Sequence, residues 1–273
     1  MALPGHRGLM TRLESVVSDD GTPIAYERRG EGPPLVLVHG TTADHTRWGS
    51  SLPLLAERFT TYAVDRRGRG ASGDTGPYSI EREYEDVAAV VRSIRAPVNL
   101  LGHSYGALLC LEAALRVGNL RRLVLYEPGF PVEAPLYPPG LRERYQAMLD
   151  AGDREGMMLA FYREMVGMSE DEIAARRSDP SWPERLAAAP TVLREFADGE
   201  YRFDPSRFRA LEIPTLLLLG GESPEILTAP SRAIHGALPR SRIAVMPGQK
   251  HLAMFDAPEL FVRLVTEFLD QAP

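Results

Sequence analysis

The chain has 273 residues, 44% hydrophobic and 25% charged, with a formal net charge of −6, enough to bury one large α/β core or two small ones. Both signs of charge are mixed along it with no basic block or stripe, which argues against nucleic acid as a partner. Its single cysteine, Cys110, excludes an intrachain disulfide, and no apolar run reaches the roughly 18 residues of a membrane helix.

The N-terminal "MALPGHRGLMTRL" lacks the apolar stretch of a secretory signal, so the expected setting is cytoplasmic. From Leu13, "LESVVSDDGTPIAYERRGEG" places Asp20-Gly21 as a hairpin turn between two strand-like runs. "PPLVLVHG" is a continuous apolar run, as a strand buried on both faces requires. "WGSSLPLLAERF" reads as a helix and "TTYAVDRRGRG" as a strand ending at Asp65. "SIEREYEDVAAVVRSI" carries apolar residues at helical spacing until Pro97 stops it before the strand "VNLLGHS". A helix over 107–117 follows, then the strand "RRLVLYEP", ending near Glu127.

The alternation then lapses. Between Pro128 and Leu211 there are helical stretches and many prolines but no clear strand. About eighty residues is too long for a plain loop, so this segment should be a helical insertion. Its methionines and aromatics, among them Met157, Met158, Met165, Phe161, Trp182, Tyr201 and Phe203, are either its own core or an adaptable apolar roof over a pocket. The last third restores the alternation with "PTLLLLGG", a helix over 225–238, "SRIAVMPG" and the helix "PELFVRLVTEFLDQ". Strands alternating with helices predict a mostly parallel sheet with helices on both faces.

Gly102-His103-Ser104-Tyr105-Gly106 fits G-x-S-x-G between a strand and a helix. A strand turning straight into a helix strains the turn residue and projects its side chain above the sheet. Glycines two before and two after let the elements approach. The bland alternative for Ser104 is a plain helix cap.

"LVLVHGTT", "DRRGRGAS", "GHSYGA" and "GQKHLAMFDAPE" together resemble the α/β-hydrolase superfamily, in its lidded serine esterase and non-metal haloperoxidase-like branch. The resemblance implies an eight-stranded, mostly parallel sheet flanked by helices. The core would span 1–127 and 211–273, with a helical lid over 128–210. It also implies that Ser104 is the nucleophile and His251, after the last strand, its base. Backbone N–H groups of Thr41 and Tyr105 would bind the oxyanion. Thr42, His45, Phe161 and Trp182 would line the substrate pocket. His39 would be structural beneath the oxyanion loop, His103 would point away from the nucleophile, and Asp65 would fix the turn after its strand. The arginines of DRRGRG are read as structural or solvated, and Asp256 and Glu259 as caps of the last helix.

The third triad member departs from the family pattern. Where G-x-x-D is usual after the seventh strand, this chain has Gly220-Gly221-Glu222-Ser223. Glu127, ending the sixth strand, and Glu222 are the candidate acids; Glu127 is preferred because some branches of the superfamily carry the acid at that strand end, Pro128 would hold it rigidly and it keeps the order Ser, acid, His, while Glu222 is one register off. The expected function is hydrolysis of an ester or thioester of a small to medium apolar substrate, with no cofactor and no metal. C–C bond hydrolysis, perhydrolysis, a cyclising step and a low-turnover ligand receptor are the alternatives. The expected partner is a small molecule; membrane association is not expected, and oligomeric state is left open.

Overall fold

A computed structural model describes residues 12–132, 138–197 and 201–271. Part of the N-terminal stretch read for a signal, and 133–137 within the proline-rich opening of the insertion, lie outside these residues. Eight strands form one sheet: β1 (Arg12–Val17), β2 (Pro23–Arg29), β3 (Pro34–Val38), β4 (Thr60–Val64), β5 (Val98–His103), β6 (Leu120–Tyr126), β7 (Thr215–Gly220) and β8 (Ser241–Met246). Their order is β1-β2-β4-β3-β5-β6-β7-β8. β2 runs antiparallel to both neighbours, closed against β1 by the turn at Asp20-Gly21, and the remaining pairs are parallel.

The helices are α1 (Ser51–Ala56), α2 (Ile80–Ser93), α3 (Tyr105–Ala114), α4 (Leu141–Asp150), α5 (Arg154–Phe161), α6 (Glu170–Arg177), α7 (Trp182–Ala197), α8 (Glu225–Ala237), α9 (Ala253–Asp256) and α10 (Pro258–Leu269). Strand periodicity sorts the core into two layers. Val36, Val38, Leu100 and Leu125 pack on α2, α3 and α8 on one face. Leu35, Leu37, Leu101 and Val124 face the other way, onto α1 and α10. This is why the central strands read as unbroken apolar runs rather than alternating ones. Among the described residues, no helix is long and apolar enough to cross a membrane.

Helices α4 to α7 lie between β6 and β7, where the sequence breaks its alternation. They bury a core of their own, including Tyr145, Met157, Met158, Tyr162, Ile173, Val192 and Phe196. Tyr201 and Phe203 instead pack against Phe130 of the main core. Two local expectations are corrected. Helix α3 starts at Tyr105 rather than 107, because Gly106 serves close packing there and not a break. The residue capping α10 is Ala257; Asp256 instead accepts a hydrogen bond from Arg176 at 2.9 Å.

Candidate active site

Only Ser104 separates β5 from α3, and its backbone is left-handed, with φ 55° and ψ −125°. Such a conformation is strained for a residue with a Cβ and is held by its surroundings. The Ser104 N–H donates to Tyr126 O at 2.9 Å, and the Gly129 N–H donates to Ser104 O at 3.1 Å. A Cβ on Gly102 would sit 2.5 Å from Gly106 O, and one on Gly106 would overlap His39 O and Val38 O. The two glycines therefore let strand, helix and the loop after β3 meet at one point.

His251 and Glu127 meet as a buried pair. The imidazole Nδ1–H donates to Glu127 Oε2 at 2.5 Å, and the other carboxylate oxygen accepts the Gly220 N–H at 2.7 Å. Glu127 is fully buried with φ 44°, a second left-handed residue at a strand end. An Nδ1 hydrogen bond of this kind fixes the tautomer and leaves Nε2 as the basic nitrogen. Glu222 is exposed; its N–H donates to Gln249 O at 2.9 Å. The Ser223 hydroxyl, in the usual acid position, is buried without a partner among the described residues.

Two residues that the sequence reading gave no role at the site hold the His251 loop. His103 Nε2–H donates to His251 O at 2.9 Å, so this imidazole is turned toward the backbone of His251. The Tyr126 hydroxyl donates to Lys250 O and accepts the Ala253 N–H at 3.2 Å. No sequence signal marks Tyr126, since a tyrosine ending a buried strand is ordinary core.

The loop after β3 is fixed from below. His39 Nδ1–H donates to Gly40 O at 2.8 Å while Nε2 accepts the Arg66 N–H at 3.2 Å. Burial, then the charges of Arg66 and Arg69, hold its pKa well below the usual value, so it is the neutral imidazole this geometry needs. The Thr41 hydroxyl donates to Glu195 Oε2 at 2.5 Å, reaching across to α7. Glu195 also receives Arg66 at 2.8 Å and Arg69 at 2.7 Å, and Arg66 forks onto Glu83 with two bonds of 2.7 Å. Burial alone would raise the Glu83 pKa, but Arg66 and Arg69 bring it down to about 2. All three arginines of DRRGRG are thus buried partners of carboxylates, Arg67 holding Asp86 at 2.6 Å and Asp20 at 2.9 Å, and Arg66 also stacks over the Tyr105 ring at 4.8 Å.

Thr41, Ser104, Tyr105, Gly129, Phe161, Met165, Val166, Leu227 and His251 enclose a cavity of about 40 Å³. Met165 and Val166 belong to a π-helical turn over Tyr162–Val166, a distortion common at functional sites. Of the pocket residues expected from sequence, only Phe161 is in that wall. His45 is turned away, its Nδ1 and backbone N–H both held by Asp65 Oδ1 at 2.8 Å. Trp182 packs on Tyr162 within the insertion, and Thr42, buried with φ 61°, turns the loop. Asp44, His45 and Asp65 bring potential metal-ligand atoms within 4.8 Å of one another. These atoms are already engaged: Asp65 fixes His45 and the Ala71 N–H, and Asp44 caps Thr46.

Comparison with known proteins agrees with this architecture. A family model described as the alpha/beta hydrolase family matches residues 35–264. The 2-(acetamidomethylene)succinate hydrolase of Mesorhizobium japonicum is 27% identical over 263 residues, covering 90% of this chain and 91% of its own. N-formylmaleamate deformylase of Pseudomonas putida is 28% identical over 268 residues, covering 93% and 95%. The crystal structure of an alpha/beta hydrolase from Sphaerobacter thermophilus is 35% identical, with a TM-score of 0.80 over 94% of this chain and 100% of that one.

Proposed function

Because this chain belongs to the alpha/beta hydrolase family, we propose that it is a serine hydrolase that cleaves a short acyl group from an ester or amide through an acyl-enzyme. The observation that carries this reading is the shared cavity: Ser104 and His251 line it together, and His251 is held from behind by Glu127 at 2.5 Å. A serine hydroxyl needs a nearby base to attack at neutral pH. His251 takes the Ser104 proton as Oγ attacks the carbonyl, then delivers it to the leaving group. Glu127 keeps the ring in one tautomer and stabilises its cationic form. The Tyr105 and Thr41 N–H groups receive the oxyanion, each worth about 3 kcal/mol of barrier. Water activated by His251 then releases the acid. The helical insertion acts as a lid, its residues Phe161, Met165 and Val166 keeping bulk water from the acyl-enzyme. Because relatives are named as a deformylase and a 2-(acetamidomethylene)succinate hydrolase, amides are to be tested beside esters.

Labelling with a fluorophosphonate probe is the direct test. Mass spectrometry should find the adduct on Ser104 and none in Ser104→Ala, whose kcat should fall about 10⁶-fold. Normal turnover in that variant would exclude the covalent route.

A further inference from the structure

Arg47 and Arg185 are buried, 4% and 2% exposed, and neither has a carboxylate within 4 Å among the described residues. Both reach the oxyanion loop: Arg47 Nη2 donates to Thr41 O at 3.2 Å, and Arg185 Nη1 to Thr42 O at 3.5 Å. Arg185 Nε also donates to the Ser181 hydroxyl at 3.1 Å and Arg47 Nη2 to Thr42 Oγ1 at 3.5 Å, so each guanidinium is hydrogen-bonded to neutral groups and neither is in a direct ion pair among the described residues. Asp44 and Asp179 hydrogen-bond to Thr46 and Ser181 and keep their charge, Asp44 acting on Arg47 and Asp179 on Arg185 without a contact inside 4 Å, while Asp256 pairs with Arg176. Burial, then the charge of Arg185, pulls the Arg47 pKa down to about 9.

Unused donors collect in the same region. Arg47 Nε, Arg176 Nε and the Tyr162 hydroxyl are buried with no hydrogen-bond partner among the described residues. Arg47 and Arg176 both lie over the Phe255 ring, at 5.9 and 4.6 Å. This region borders the candidate active site. Thr41 lines the Ser104 cavity, and Val166 and His251 line both it and an adjoining cavity walled by Arg176.

Resting on the hydrolase reading above, we propose that Arg47 and Arg185, with the Tyr162 hydroxyl, form a carboxylate subsite, so that the preferred substrate carries a free carboxylate a few bonds from its scissile carbonyl. The planar guanidinium is suited to a carboxylate, which it meets with two parallel N–H donors. A bound carboxylate would give these guanidinium groups the direct ion pair they lack and fill the open donors. The short span rests on Thr41, which lines the Ser104 cavity and whose carbonyl receives Arg47. The apolar wall of Phe161, Met165 and Val166 beside Ser104 fits the apolar part of such a substrate, and the proposed subsite would take its charged end.

The test compares monomethyl succinate with the neutral methyl butyrate. The wild-type kcat/KM should favour the acid by about 10- to 100-fold, the range of a charged hydrogen-bonded contact. Arg185→Gln should cut that ratio at least tenfold through KM, and Arg185→Lys should retain part of it. In parallel, Ser104→Ala is titrated with monomethyl succinate by calorimetry. A wild-type ratio at or below one, or a ratio unmoved by Arg185→Gln, overturns the subsite, while hydrolysis of methyl butyrate leaves the hydrolase reading standing. Saturable binding to Ser104→Ala that Arg185→Gln abolishes supports the subsite even if neither ester is cleaved, in which case the hydrolase reading is the one that fails.

Discussion

Glu195 is the most informative residue to change, because it joins the helical insertion to the loop that carries Thr41. Its side chain is fully buried and its two oxygens take three donors: Arg69 at 2.7 Å, Arg66 at 2.8 Å and the Thr41 hydroxyl at 2.5 Å. Glu195→Gln keeps the shape and removes the charge. Arg66 retains its fork on Glu83, but the next carboxylate to Arg69 is Glu83 at 3.9 Å. Breaking a buried ion pair from one side costs about 3–5 kcal/mol, because the remaining charge stays buried. With a urea slope of about 2–3 kcal/mol per molar, the unfolding midpoint should fall by about 1–2 M.

Equilibrium urea unfolding, followed by intrinsic fluorescence, measures that shift. The control is Arg69→Met with Glu195→Met, which removes both charges and should be more stable than either single change. Activity gives the second readout. Releasing the Thr41 hydroxyl should lower kcat more than it raises KM, because displacing a backbone oxyanion donor by about 1 Å can cost on the order of 10²-fold. A Glu195→Gln unfolding free energy within about 1 kcal/mol of wild type would refute the reasoning that this network holds the insertion down.

Glu127→Gln should lower kcat about 10⁴-fold, while Glu222→Gln, an exposed change, should leave it unaltered; steady-state kinetics with the loss at position 222 instead would reverse the proposed assignment. Stability should fall with acid below pH 6.5. Burial depresses the His39 and His103 pKa values well below 6.5, so the unfolded chain binds more protons there and stability is whole only above that value. Each of the two histidines should cost about 1.4 kcal/mol per pH unit below it. His45, raised by its hydrogen bond to Asp65, changes stability only above 6.5, where its contribution is lost as the pH climbs through its folded value. Urea midpoints at pH 6.5 and 5.5 that agree would contradict the buried neutral pair. Gly106→Ala should fail to give soluble, active protein, since its Cβ would overlap two backbone carbonyls; a crystal structure of an active Gly106→Ala variant with an unshifted elbow would disprove that clash.

What could be read from the sequence was what is encoded locally. The strand, Ser104 and the helix after it are contiguous, and their apolar periods switch within two residues, so the elbow is legible without tertiary information. Glu127 was legible for the same reason, as a carboxylate at the end of an apolar run. The charged residues were not. Arg66 and Arg69 find Glu195 about 126 positions later, and nothing near them in the chain separates a buried arginine from a solvated one. Arg47 and Arg185 sit among polar residues that read as surface. His45 misled because a histidine opening a helical turn near the pocket has two destinations, and Asp65, twenty positions on, decides between them.

The position of the acid follows from how β6 and β7 end. The Glu127 N–H donates to Leu218 O at 3.2 Å and its carboxylate takes the Gly220 N–H, so β7 contributes backbone where a side chain would otherwise stand. A Cβ on Gly220 would lie 2.6 Å from both Gln249 O and Ser223 Oγ, and 2.8 Å from Lys250 C. The glycine therefore lets the His251 loop close down on the turn that carries the Ser223 hydroxyl. If the ring needs only a buried carboxylate at Nδ1, the acid can be moved across. Glu127→Ala should lose about four orders of kcat, and adding Ser223→Asp should recover at least tenfold of that loss. Both variants would be checked for wild-type unfolding midpoints and fluorophosphonate labelling rates. If the double variant folds yet labels no faster than Glu127→Ala, charge near the imidazole is insufficient. The left-handed backbone at position 127 would then be what sets the angle of the pair.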